Sequence, residues 1–167
     1  MTDPVALNLL VLCTGNSARS ILGEALFNHL GAGRVRAWSA GSQPSGRVNP
    51  VALETLAAHG VPLPEARSKS WDEFAAPDAP QFDLIITVCG SAAGETCPVW
   101  PGHPVTAHWG IDDPAHVEPM EARRAAFEVA YSELECRIRA LLAEPLEAMT
   151  PDDRRSAARR IHAECAQ

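Results

Sequence analysis

The stretch that decides the fold is residues 7–24, LNLLVLCTGNSARSILGE. Residues 7–12 form an apolar run of strand-forming residues that ends at Cys13, and apolar residues then recur at helical spacing over residues 21–30. This pattern predicts a buried strand, a short loop and a helix. The loop, residues 13–20 (CTGNSARS), therefore lies between the carboxyl end of a strand and the amino terminus of a helix.

A loop in this position suits an anion, because unpaired backbone amides and the helix dipole both favour negative charge there. The same environment favours the thiolate form of Cys13 near neutral pH. Arg19 follows six residues later, and its planar guanidinium can hold two oxygens of a tetrahedral oxyanion. Ser20 could donate a hydrogen bond to the thiolate, and Gly15 suits tight backbone curvature. The C-x5-R-S spacing alone is weak evidence, so an ordinary strand-to-helix turn with a buried cysteine is the alternative.

Composition limits the classes of protein to consider. The 167 residues suit one domain, and a hydrophobic content of 46% is enough for a single core. A net charge of −7 argues against nucleic acid or an anionic membrane as the main partner. The sequence shows no amino-terminal signal and no apolar run long enough to span a bilayer. We therefore expect a cytoplasmic protein. We also expect it to be a monomer.

The rest of the chain alternates between strand and helix patterns. Further strands are predicted at residues 34–39, 82–88 and 105–109, and further helices at 50–59, 120–143 and 151–167, with a short helical piece at 71–74. This alternation predicts a parallel sheet with helices on both faces, in which ligands bind outside the carboxyl ends of the strands. We divide the chain into a domain at 1–145 and a helical tail at 146–167.

A carboxylic acid follows the last predicted strand, in the sequence Asp112-Asp113-Pro114. At that edge of the sheet it could protonate a leaving oxygen or take a proton from water. The alternative is that Asp-Pro simply opens a turn.

The remaining cysteines allow several interpretations. Cys89 and Cys97 could be a redox pair on a loop of small residues, two unrelated thiols, or a zinc site with His103 and His108, although their spacing is unlike a short zinc knuckle. We favour the redox pair and predict no metal ligands. Cys136 lies between apolar residues of a predicted helix and is expected to be at least half-buried, whereas Cys165 is expected to be exposed and incidental.

Three motifs together resemble a known family. CTGNSARS at 13–20, VCGSAAGETCPVWPG at 88–102 and HWGIDDPA at 108–115 look like the arsenate reductases built on the low-molecular-weight protein tyrosine phosphatase fold. The similarity extends over about residues 7–145. It implies a four-stranded parallel sheet flanked by helices, and a cytoplasmic enzyme of arsenical resistance that detoxifies arsenate.

The resemblance also implies residue roles. Cys13 would be the nucleophile on arsenic, Asp113 the general acid, Cys89 the second thiol, which attacks Cys13, and Cys97 the third, which forms a redox-active disulfide with Cys89. Asn16 and Ser20 would shape the loop and the thiolate. Oxyanion binding would fall to the whole loop: Thr14, Gly15, Asn16, Ser17, Ala18, Arg19 and Ser20.

The implied partners are arsenate, with phosphate or sulfate as mimics, and an external thiol reductant, either thioredoxin or glutaredoxin with glutathione. No tightly bound cofactor is expected. Some members of this group bind potassium beside the loop, and Asn16 and Glu24 match that site. The alternative function is a tyrosine phosphatase acting through a Cys13 phosphoenzyme, although Ala115 stands where such phosphatases place aromatic residues. A non-enzymatic oxyanion sensor is a third possibility, and the acidic charge argues against it.

Overall fold

The computed structural model describes residues 6–63, 67–88 and 106–165. Within these ranges lies a parallel sheet of four strands in the order β2-β1-β3-β4. The strands are β1 (Leu7–Cys13), β2 (Val35–Gly41), β3 (Leu84–Thr87) and β4 (Thr106–His108). The single-domain α/β fold with a four-stranded parallel sheet, predicted from the sequence, is confirmed.

The described residues also form four α-helices, with short 3-10 helices at Trp71–Phe74 and Leu146–Ala148. The α-helices are α1 (Arg19–Leu30), α2 (Pro50–Ala58), α3 (Met120–Leu142) and α4 (Pro151–Cys165). As predicted, Asn49 caps α2: its side chain accepts a hydrogen bond from Val51 N, and Pro50 takes the first helical position. Among the helices of the described ranges, none is both long and apolar enough to cross a membrane.

The strand register brings the loop at residues 13–20, called the pocket loop below, beside the end of β2. β1 pairs with β2 along its whole length, from Leu7 beside Val35 to Cys13 beside Gly41. β2 therefore runs two residues past its predicted end at 39, because it stays paired with β1 as far as Cys13. Gly41 also forms a bridge with Ser70. β3 pairs with the other side of β1, so the carboxyl ends of these strands meet at one edge of the sheet.

The core has two parts because β1 is buried on both faces. Leu9 and Val11 enter a large cluster that takes residues from all four α-helices. Leu10 and Leu12 enter a smaller cluster on the opposite face, which rings from the Trp71–Phe74 3-10 helix cover. Each of these side chains stabilises the fold by about 1.5–3 kcal/mol on burial.

The C-terminal helix α4 joins the larger cluster through Ala157, Ala158 and Ile161, all of which are buried. It is also fixed by a buried hydrogen bond of 2.8 Å from Trp109 Nε1 to the Ala158 carbonyl oxygen. Trp109 directly follows β4, so α4 supports the end of the sheet that leads towards Asp113. The division into a domain at 1–145 and a tail at 146–167 stays a prediction.

Candidate active site

The Cys13 sulfur lies at the end of β1, and two polar groups of the described residues contact it. Asn16 N donates to Sγ at 3.2 Å, and Ser20 Oγ lies 2.9 Å from Sγ. Asn16 Nδ2 donates to Ser20 Oγ at 2.7 Å, so the Ser20 hydroxyl hydrogen is directed to Sγ. Since both groups donate towards the buried sulfur, they stabilise negative charge on it.

The amino terminus of α1 has no side-chain cap of its own. Ala18 is the N-cap residue and makes no side-chain hydrogen bond, and the first turn of α1 carries no acidic residue. A helix without a polar cap loses about 1 kcal/mol relative to a capped one. A bound oxyanion would accept hydrogen bonds from the backbone amides of the first turn of α1. It would also lie at the positive end of the helix dipole.

The outer loop at residues 43–49 engages the backbone carbonyl oxygens of the pocket loop. The three bonds are Gln43 N to Thr14 O at 2.9 Å, Ser45 N to Gly15 O at 3.0 Å and Asn49 N to Ser17 O at 2.9 Å. Engaging these oxygens with amides offsets the electronegative atoms that would repel an anion. The loop at residues 43–49 is therefore part of the pocket's construction.

Arg19 is the first residue of α1, and only 5% of its surface is exposed. Its Nη1 donates to the carbonyl oxygen of Ile111 at 3.0 Å and to that of Val88 at 3.5 Å. Its Nη2 lies 3.7 Å from Asp113 Oδ2. These contacts orient the guanidinium between the segments that follow β3 and β4, beside the pocket loop.

Asp113 combines the two interpretations that the sequence allowed. Its Oδ1 accepts a hydrogen bond from Ala115 N at 2.9 Å, which is a turn contact, while Oδ2 faces Arg19. Its side chain is partly exposed, and His116 Nε2 lies 3.9 Å from Oδ2. The turn therefore aims one carboxylate oxygen at the site. Asp112 is exposed and does not line the pocket.

These groups surround an open cavity of about 440 Å³. Of the residues predicted to bind an oxyanion, Thr14, Gly15, Asn16, Ser17, Ala18 and Arg19 line it, together with Cys13 and Asp113. Ser20 instead contacts the sulfur from within the protein. Sequence reasoning missed Ser45, Asn49 and His116 in the lining. Two features of the sequence could have indicated this part of the lining: the polar turn at 40–47, and a histidine three residues after Asp113.

The predicted redox pair, Cys89 and Cys97, lies outside the described residues, as does His103. The described chain reaches Val88, whose carbonyl oxygen accepts the hydrogen bond from Arg19.

The two C-terminal cysteines depart from the sequence prediction. Cys136 on α3 and Cys165 at the end of α4 form a disulfide, with their Cα atoms 6.3 Å apart. Cys136 is exposed rather than buried, and Cys165 is half-buried rather than exposed. Both predictions were wrong because helical spacing in the sequence does not show which face of α3 meets α4.

The two residues matched to a potassium site do not fit a potassium ion in this chain. Asn16 Oδ1 accepts a hydrogen bond from Lys69 N at 2.9 Å, and the Lys69 ammonium nitrogen lies 3.6 Å from Glu24 Oε1. An ammonium group thus already neutralises the carboxylate that would ligate the ion.

Comparison with known proteins identifies the family to which the chain belongs. Residues 8–151 match the family described as low molecular weight phosphotyrosine protein phosphatase, and the chain belongs to that family. The resemblance inferred from the three motifs is thereby confirmed.

Several relatives of this chain are named arsenate reductases. The chain is 40% identical to an arsenate reductase of Bacillus licheniformis over 117 residues, which are 70% of this chain and 80% of the relative. The structure of an arsenate reductase from Archaeoglobus fulgidus is 33% identical, with a TM-score of 0.65, and the match covers 81% of this chain and 99% of that one. A thioredoxin-dependent arsenate reductase from Corynebacterium glutamicum is 28% identical, with a TM-score of 0.58, covering 84% of this chain and 62% of that one.

Proposed function

We propose that this protein reduces arsenate to arsenite, with Cys13 as the nucleophile. The observation that carries the proposal is the Cys13 sulfur itself, held by the Asn16 amide and the Ser20 hydroxyl at a pocket beside the Arg19 guanidinium. The similar curated relatives are named arsenate reductases, which supports the same substrate here.

The first step is substitution at arsenic. The Cys13 thiolate attacks arsenate to form a sulfur–arsenic bond, and one oxygen leaves as water after accepting protons. In its protonated form Asp113 would give one of those protons; a side chain that borders the pocket and lies 3.7 Å from Arg19 supports this role. Arg19 and the loop amides hold the oxygens that stay on arsenic.

The second step supplies the two electrons that convert As(V) to As(III). The Cys89 thiolate attacks the Cys13 sulfur, a Cys13–Cys89 disulfide forms, and arsenite leaves with the electron pair of the broken sulfur–arsenic bond. Cys97 then attacks Cys89, which frees the Cys13 thiolate and leaves a Cys89–Cys97 disulfide. The contact of Arg19 with Val88, which immediately precedes Cys89 in the sequence, supports the choice of Cys89 as the second thiol.

An external thiol must then reduce that disulfide. We propose a thioredoxin-type reductant, since one similar structure is that of a thioredoxin-dependent enzyme; glutaredoxin with glutathione is the other candidate. Such reductants act in the cytoplasm, where we place the protein's role in detoxifying arsenate.

The test is arsenate-dependent NADPH consumption with the thioredoxin and glutaredoxin systems supplied in turn. We expect turnover with wild type and none with Cys13→Ser. Cys97→Ser should complete one turnover and stop at a Cys13–Cys89 or mixed disulfide, which mass spectrometry after one equivalent of arsenate would detect.

Cys136→Ser is the matched control and should keep full turnover, because the assay is reducing and the Cys136–Cys165 disulfide should be open in both proteins. Full multiple turnover by Cys89→Ser would contradict the relay.

The family match gives phosphate-ester hydrolysis as a second candidate, because the matched family is described as a phosphotyrosine protein phosphatase. Efficient hydrolysis of an aryl phosphate, unchanged in Cys89→Ser, would favour a phosphatase.

A further inference from the structure

A buried ion pair lies next to the pocket loop and takes no part in the chemistry above. Lys69 is the only lysine in the chain, and it is 7% exposed. Its ammonium nitrogen lies 3.6 Å from Glu24 Oε1, and Glu24 is itself 8% exposed. Ser39 Oγ donates to the same carboxylate oxygen at 2.9 Å, and Lys69 Nζ donates to the Arg67 carbonyl oxygen at 3.2 Å.

This pair is a weak source of stability. Burial lowers the pKa of Lys69, and the nearby Glu24 charge only partly opposes that effect. Burying two charges removes their hydration, and the attraction between them often does no more than offset the cost. The pair therefore points to a role other than net stabilisation.

The segment that carries Lys69 is bonded directly to the pocket loop. The Lys69 backbone N–H donates to Asn16 Oδ1 at 2.9 Å, and Ser68 Oγ donates to the Gly15 carbonyl oxygen at 3.1 Å. The Lys69 carbonyl oxygen accepts from Gly41 N at 2.9 Å. Because Glu24 is on α1, the ion pair ties this segment to the helix that begins at the pocket.

We propose that the Lys69 ammonium is a built-in cation that holds the pocket loop in its anion-binding shape, in place of a free potassium ion. It fixes residues 67–70 against α1, and this keeps Asn16 oriented towards Cys13 and Ser20. It also cancels the negative charge of Glu24 near a site that must accept an anion. Lys69 is thus a positioning residue, and the inference rests on the loop's proposed role as an oxyanion site but not on arsenate reduction.

A second cavity gives access to this pair. It has a volume of about 360 Å³, and its lining includes Glu24, Asn28, Arg67 and Lys69. Replacing Lys69 with Met removes the ammonium and leaves oxygen atoms of Glu24, Ser39 and Arg67 around the space. Oxygen ligands of this kind suit potassium, so the variant should acquire the need for a cation that the native chain lacks.

The test measures phosphate binding by isothermal titration calorimetry, in potassium chloride or in choline chloride. At an equal ionic strength of about 100–150 mM both salts give a Debye length of about 8–10 Å, so they screen charges equally. For wild type we expect dissociation constants that agree within about twofold. For Lys69→Met we expect about tenfold weaker binding in choline chloride and recovery in potassium chloride. The rate at which iodoacetamide alkylates Cys13, followed by peptide mass spectrometry, should change in parallel.

Three variants separate this role from packing. Lys69→Arg keeps a cation and should behave as wild type. Arg67→Met removes a neighbouring charge in the same cavity and should also behave as wild type. Lys69→Met combined with Glu24→Gln should not respond to potassium.

The proposal is overturned if potassium strengthens phosphate binding to wild type by more than twofold. It is also overturned if Lys69→Met binds phosphate normally, or binds it weakly without recovery in potassium. If Lys69→Met does not fold, the test is the effect of potassium on phosphate binding to the wild type. Neither readout needs reductase turnover, so a failure of arsenate reduction would leave this test intact.

Discussion

Gly41 is the single residue on which the shape of the pocket loop most directly depends. A Cβ atom built there would overlap the Thr14 carbonyl oxygen and approach Asn16 N to 3.0 Å. Both are backbone atoms of the pocket loop, so neither can rotate out of the way. Any side chain at position 41 must therefore displace the loop itself.

We predict that Gly41→Ala lowers the free energy of unfolding by about 1–3 kcal/mol, as overpacking does in well-packed cores, and weakens phosphate binding at least tenfold. Urea unfolding and calorimetry measure the two effects. Gly15→Ala is the matched control for folding, because a Cβ at Gly15 would meet nothing within 4 Å. Equal stability of the two variants would contradict the prediction.

The residue of the loop with left-handed backbone is Asn16 and not Gly15. Asn16 has a φ of 44°, whereas Gly15 is not among the residues with positive φ. Asparagine tolerates the left-handed region better than most residues, and its buried side chain here bonds to Ser20 and Lys69. The sequence suggested Gly15 for the tight curvature, but the left-handed φ of the loop falls at Asn16, which the residue pattern does not show.

At the scale of elements, the contact between α3 and α4 includes a hydrogen bond that needs a neutral histidine. Arg137 Nε donates to His162 Nδ1 at 3.3 Å, which requires that nitrogen to be unprotonated. Burial lowers the pKa of His162, and the positive charge of Arg137 and the nearby His108 lower it further. The folded protein therefore resists protonation of His162 more than the unfolded chain does.

This difference predicts loss of stability on acidification. Above the ordinary histidine pKa of 6.5, His162 is neutral in both states and contributes nothing. As the pH falls below 6.5, the unfolded chain binds a proton that the folded state disfavours, so the free energy of unfolding decreases until His162 titrates in the fold as well. Urea unfolding at pH 7.5, 6.5 and 5.5 measures the effect.

His162→Gln should lose less stability than wild type over this range, because glutamine can accept the hydrogen bond from Arg137 without titrating. His29→Gln, which removes an exposed histidine near the end of α1, should follow wild type. Parallel curves for wild type and His162→Gln would refute the assignment.

At the scale of the whole molecule, a helix beyond the family match enters the core. The family match ends at residue 151, where α4 begins. Even so, Ala158 and Ile161 of α4 are fully buried, and the Cys136–Cys165 disulfide ties the end of α4 to α3. Stability of the whole chain should therefore depend on the redox state of these two cysteines.

We predict that Cys136→Ser lowers the free energy of unfolding by about 2–4 kcal/mol without reductant, because the disulfide limits the unfolded chain. Dithiothreitol should lower wild-type stability to the same level and leave the variant unchanged. Exposure of Cys136 makes the bond accessible to thiols, so we expect it to open in a reducing compartment. Equal stability of both proteins without reductant would be evidence against the prediction.

Much of the fold and the centre of the site could be predicted because their residues are close in sequence. One strand, one loop and one helix bring Cys13, Arg19 and Ser20 together, and alternating patterns indicate a parallel sheet. The Lys69–Glu24 pair could not be predicted, because a lone lysine in an irregular segment carries no pattern. Pairing of Cys136 with Cys165 likewise depends on how two helices pack.

The residues that support the pocket loop limit its transfer to another protein. The eight residues 13–20 owe their shape to hydrogen bonds from residues 43–49 and 67–70 and to the bare backbone at Gly41. Transplanted to a strand–helix junction of another scaffold, they would bring the sulfur and the guanidinium but not the parts that orient them. The recipient protein would contain the motif but would bind oxyanions weakly.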